Sequence, residues 1–217
     1  MRKKNKNLYF CVAILLLSAV WIWRYITLNA YFDSFGGVVK EYHQTGEIVP
    51  FENDRLGGNY LVDGYSIRVD DFKIQEYDDY IDEMDVTLNP QYRNPEKIAL
   101  VYITLFNDYS DADGIMLTEF QLHGIDNYVG INWDLMLAVN PLLEGNMGIC
   151  LPYDTKISMV IPFDIRQDYF SNNTWKQLDS YQWYFKISSW PAQKEFILLT
   201  RETGEQSLSP LKIYNTF

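Results

Sequence analysis

Two regimes of polar and apolar spacing divide this chain. The first is Leu8 to Trp23, LYFCVAILLLSAVWIW, 16 residues without a charge. Carried through Ile26 the run reaches 19 residues. As a helix that is about 28 Å at roughly 1.5 Å per residue, close to the ~30 Å hydrocarbon core of a bilayer. From Tyr65 the spacing becomes two, the mark of half-buried strands. In the segment Tyr65 to Ile74 the apolar set Tyr65, Ile67 and Val69 gives way to Phe72 and Ile74. That one-residue slip of phase predicts a bulge at Asp70-Asp71. The run Lys97 to Phe106 is apolar on both faces, which predicts a central strand. Further strands are expected over 115–123, near 128–133, over Thr155–Phe163, Tyr181–Ile187 and Glu195–Leu199, and around 208–214. Pro162 cannot donate to a ladder and places the end of its strand at a sheet edge. Short helical segments are expected near 135–143 and 165–178. Seven or eight closely spaced strands predict an all-β fold, a β-sandwich preceded by one N-terminal transmembrane helix.

Charge orients this picture. Arg2, Lys3, Lys4 and Lys6 precede the apolar run, and no acidic residue occurs before Asp33. The remaining 14 basic residues stand against 29 acidic ones, net −15. The basic flank assigns residues 1–7 to the cytoplasm and 8–26 to a membrane anchor, with Trp21, Trp23 and Tyr25 at the outer interface. Residues 27–46 read as a juxtamembrane stalk, helical in part between Tyr31 and Tyr42, and 47–217 as an extracytoplasmic domain. A cleaved signal peptide is the competing reading, but Trp, Ile, Trp, Arg and Tyr stand where cleavage needs small residues. So acidic a domain repels phosphate backbones, which excludes nucleic acid as a partner. Cys11 falls in the membrane run, leaving Cys150 outside it, so no intrachain disulfide is expected. Flanked by Ile149 and Leu151, Cys150 reads as a small core residue.

A resemblance follows from a series of segments. Gly46-Glu47-Ile48-Val49 and Gly64 to Val69 come first, then the strand and turn from Val101 to Asn107. Leu151-Pro152-Tyr153-Asp154-Thr155 then leads into Met159 to Phe163. The series resembles the immunoglobulin-like extracytoplasmic domains of unknown function found in Gram-positive bacteria, often as lipoproteins, over roughly residues 46–200. The resemblance implies an immunoglobulin-like β-sandwich and assigns no activity. Leu-Pro-Tyr-Asp replaces the Pro-Gly-Glu turn usual in that group, and the anchoring helix replaces its lipobox cysteine.

Candidate chemistry is sparse. The two histidines, His43 in the stalk and His123 beside Gly124, accompany no Gly-x-Ser-x-Gly motif, so no enzyme is expected. The acidic-aromatic segment 76–85 is the most unusual feature, read as a loop between strands. Asp78, Asp79 and Asp82 are the candidate ligands of a hard cation such as calcium. Glu76, Tyr77, Tyr80 and Asp85 are the candidate surface for a basic partner, with the tyrosines as anchors. Asp108, Asp111, Asp113 and Gly114 fail the spacing of a calcium loop and read as a hairpin turn. Asn172-Asn173-Thr174 is a formal glycosylation sequon. No cofactor is implied. The expectation is a non-catalytic interaction module whose partner is an extracellular protein or cell-envelope component. The alternative is a sensing or accessory domain that binds a ligand or cation at the cell surface.

Overall fold

The structure is a computed structural model that describes residues 4–34, 39–52, 54–56, 60–86, 88, 94–109, 114–124, 127–189 and 191–199. The strand expected around 208–214 lies outside them, as do Asp111 and Asp113. The chain divides into two compact units, Met1–Val39 and Lys40–Phe217. In the first, α1 (Lys4–Ser34) holds the apolar stretch Tyr9–Thr27, mean hydropathy 1.8, long and apolar enough to cross a membrane. Trp21 and Tyr25 stack one turn apart, their ring centroids separated by 5.8 Å. The helix runs eight residues beyond Ile26, and a strand follows it, so the segment 27–46 is not a single stalk.

The second unit is a β-sandwich. Its strands are β1 (Val39–Gln44), β2 (Ile48–Pro50), β3 (Arg55–Leu56), β4 (Tyr60–Leu61) and β5 (Tyr65–Glu76). After α2 (Tyr77–Met84) come β6 (Lys97–Asn107), β7 (Ile115–Met116), β8 (Gln121–His123) and β9 (Tyr128–Val129). Then follow α3 (Trp133–Val139), β10 (Gly148–Ile149), β11 (Thr155–Ile165), α4 (Asn172–Trp175), β12 (Trp183–Lys186) and β13 (Ala192–Leu198). One sheet has the order β11-β6-β5-β2 and the other β1-β13-β12-β8-β9; β3-β4 and β7-β10 are separate two-stranded pairs. The β1–β2 turn carries the chain from one sheet to the other, with Gly46 at φ +93° and its N–H bonded to Val69 O at 2.8 Å.

Alternation decides what faces the interior. Ala99, Val101, Ile103 and Leu105 of β6 point into the main core, against Trp183 and Phe185 of β12 and Phe196 and Leu198 of β13. The ladder of β5 on β6 slips between Val69 and Asp71, the bulge expected from the phase change. Strand β6 is central, and β11 stands at the edge of its sheet. That edge is closed from Val160 onward. Val160 N–H donates to Asn140 Oδ1 at 3.1 Å, and Asn140 Nδ2 donates to Val160 O at 2.7 Å. Asn132 N–H reaches Pro162 O and Asp164 N–H reaches Gly130 O, each at 2.9 Å. The bridge between Ile131 and Phe163 joins the two sheets on this side.

The outer face of β6 carries a second cluster. Ile98 and Leu100 pack there with Tyr77 and Tyr80 of α2, Leu135 and Val139 of α3, and Val160. The acidic segment is therefore a helix over the sheet, not a loop. Its apolar residues Tyr77, Tyr80 and Ile81 fall at i, i+3 and i+4, one face of a helix. Asp78 and Asp79 lie in its first turn, where the helix dipole favours carboxylates, and Asp85 ends it at φ 51°. Val160 of β11 is buried in this second cluster, while its neighbours Met159 and Ile161 belong to the main core. Cys150, expected as a core residue, is exposed.

Candidate functional site

The two faces of α2 separate the residues singled out in its sequence. Tyr77 and Tyr80 are 5% and 3% exposed, so they are core residues of the second cluster and do not anchor a partner. Burial, and then the neighbouring charges, push their hydroxyl pKa values up. Tyr102 beneath the helix is likewise pushed up to about 12 by burial first, then by Glu83 and Asp71. Asp78, Asp79 and Asp82 are exposed on the opposite face, as are Glu76 and Asp85. Among the described residues no group of three or more His, Cys, Asp or Glu side chains is gathered to hold a metal ion. The Lys97 ammonium pairs with Glu76.

The outer face of the five-stranded sheet gathers more. Leu122, Trp183, Phe185, Phe196 and Leu198 take the inward positions of β8, β12 and β13, so alternation turns His123, Tyr184, Lys186 and Glu195 outward. Direct cross-strand pairing sets His123 opposite Tyr184 on β12 and Tyr128 on β9. A row of rings results. Tyr42 lies 5.8 Å from Tyr184, Tyr184 5.4 Å from His123 at an interplanar angle of 19°, and His123 5.0 Å from Tyr128. Tyr42 and Tyr128, at the ends, are 50% and 67% exposed, whereas His123 between them is 8% exposed.

His123 is fixed at both nitrogens. Nδ1 is 2.9 Å from Gly124 O, and Nε2 is 3.2 Å from Glu195 Oε1. Glu195 is 1% exposed, also accepts from Gln193 Nε2, and has the Lys40 ammonium 3.9 Å away. Burial alone would raise its pKa; the bonds from His123 and Gln193 and the charge of Lys40 outweigh that and hold it below the usual glutamate value. Lys186, in the ladder opposite Glu195, is pushed below the usual lysine value by burial, against the pull of Glu195 and Glu119. Both ring nitrogens of His123 thus face oxygens of the fold itself, the Gly124 carbonyl and the Glu195 carboxylate. Gly124 has a steric reason to be glycine, since a Cβ there would meet the Tyr181 ring at 1.9 Å. His43, assigned by sequence to the stalk, is in β1, with Nδ1 3.3 Å from Glu47 Oε2 and its ring against Phe196.

Beside Tyr128 an open groove of about 500 Å³ runs along β8, β9 and the start of α3. Thr118, Phe120, Gln121, Tyr128, Gly130 and Trp133 line it. Asn132 sets the entry to α3, accepting the Leu135 N–H at 2.9 Å through Oδ1 and donating through Nδ2 to Asp164 at 2.8 Å. Sequence reasoning missed this face. Its signal was the polar set of each alternating strand, His123, Tyr184 and Glu195, which reads as ordinary solvent-facing residues until strand order places them together.

A family profile for a domain of unknown function (DUF5028) matches residues 40–194. Among solved structures, a secreted protein from Mycobacterium tuberculosis, MPT63, is similar at a TM-score of 0.42 and 10% identity, covering 75% of this chain and 99% of that one. No curated protein matches the chain.

Proposed function

The chain belongs to the DUF5028 family, a domain of unknown function, and we propose that it is a membrane-anchored extracytoplasmic interaction module without catalytic activity. One observation carries this reading: the ring row Tyr42–Tyr184–His123–Tyr128 across the outer face of a sheet whose other face packs into the main core through β8, β12 and β13. Aromatic side chains at a surface supply contact area at low conformational cost, and two of these rings are half exposed or more. Anchorage is supported by the apolar helix Tyr9–Thr27, and outward placement of the domain by the basic residues before it. A non-catalytic role is supported by the double engagement of His123.

The test is site-specific photo-crosslinking in whole cells of the native host. A cross-linker at Tyr42 is expected to give a discrete product with an envelope component, while one at Asp79 on the acidic helix gives none. Equal labelling from both positions would sink the reading.

A further inference from the structure

Resting on that reading, we infer that the groove beside Tyr128 is a glycan-binding site, taking an uncharged chain of pyranose sugars. The chemistry of the lining selects this occupant. Among the described residues no charged side chain lines the groove, in a protein of net charge −11. An ionic ligand would leave its charge uncompensated there, which is costly once water is displaced. A purely apolar ligand would cover the Gln121 amide and the Thr118 hydroxyl without bonding them. A pyranose presents C–H groups on its faces and hydroxyls around its rim, and so uses both halves of the lining. The rings of Tyr128 and Trp133 take the C–H faces, and the amide and hydroxyl take the rim.

Two further features suit the role. Tyr128 is 67% exposed yet held, because the His123 ring packs against it at 5.0 Å and His123 is itself fixed by Glu195 and Gly124. An exposed ring already held in place loses little freedom on binding. Gly130 is exposed, and a Cβ there would have nothing within 4 Å, so the backbone leaves the groove open. The volume, about 500 Å³, falls within the roughly 300–1,000 Å³ typical of small-molecule clefts.

The open glycine supplies a clean test. Gly130→Phe adds a ring at the groove lining, at a position where a Cβ meets nothing within 4 Å, and Tyr128→Ala removes the platform. The full-length chain in detergent micelles is titrated with hexamers of β-linked glucose and of β-linked N-acetylglucosamine. An anionic hexamer of galacturonic acid and an uncharged extended peptide are the comparison probes. Tryptophan fluorescence reads binding, and saturation-transfer NMR reads which sugar protons lie against rings. A neutral hexasaccharide is expected to bind saturably, with contact at its ring C–H protons. Its affinity should fall about tenfold or more in Gly130→Phe and in Tyr128→Ala, with unchanged melting temperature, and not change in Asp79→Asn. Absence of binding to both neutral hexamers overturns the proposal, and so does equal binding by Gly130→Phe. Preference for the anionic hexamer or the peptide overturns it as well. If the Tyr42 cross-link persists while no neutral sugar binds, the glycan site fails and the interaction module stands.

Discussion

Asn140 and Glu195 show how single buried polar groups decide local structure. The Asn140 amide is 6% exposed and satisfies both the N–H and the C=O of Val160. Asn140→Ala removes both partners and leaves two buried backbone groups unpaired, at about 1–3 kcal/mol for each orphaned group. Urea denaturation should show a lower midpoint with little change in slope. Glu195 predicts a pH dependence. Its folded pKa is depressed, so its stabilising contribution is fully present above the unfolded value of about 4.3 and is lost as pH falls through the folded value. The stability difference between the wild-type chain and Glu195→Gln should therefore be largest above about pH 4.3 and shrink below it. Denaturation curves from pH 6 down to pH 3 check this; a constant difference would mean the carboxylate does not titrate as its contacts require.

At the scale of elements, α2 separates what the sequence disclosed from what it hid. The period of two located β5, β11 and β12, the run apolar on both faces located β6, and the phase slip located the bulge at Asp70-Asp71. Those features depend on each strand alone. The spacing of Tyr77, Tyr80 and Ile81 was equally present, but the carboxylates between them masked it, because a short helix owes its stability to the surface it covers. That surface, Ile98 and Leu100 on the outer side of β6, lies 21 residues downstream of Tyr77 at its nearest point. The ring row was hidden for the same reason: its four members come from β1, β8, β9 and β12 and meet only through strand order. The helical placement also bears on calcium. Asp78, Asp79 and Asp82 lie at i, i+1 and i+4 on the exposed side of the helix and form no gathered ligand set. A real site would add roughly 2.7 kcal/mol at 100 times its dissociation constant. The expected result is that millimolar calcium raises the melting temperature no more than sodium chloride of matched ionic strength, in the wild-type chain and in the triple Asp→Asn variant alike. A chelator-reversible rise in the wild type would disprove it.

For the whole molecule, the anchored reading makes the end of the mature chain a measurable quantity. With α1 retained, mass spectrometry of protein from its native host should find an N-terminus at Met1 or Arg2, and protease added to intact cells should remove the sandwich. A mature chain starting near residues 27–35 would show that the helix is a cleaved leader. The sheet edge closed by Asn140 has a consequence for such a crowded setting. Proteins tethered to one surface meet their own copies at high local concentration, where an unpaired strand is a template for cross-β growth. The side-chain amide at Val160 occupies the position a recruited strand would take, and Pro162 beyond it has no N–H to offer. Along the outward-turned groups nearer the start of β11, the exposed Lys156 puts a charge on the same edge. With the helix retained, as proposed, the β11 edge of one copy is thereby closed to strand addition by another.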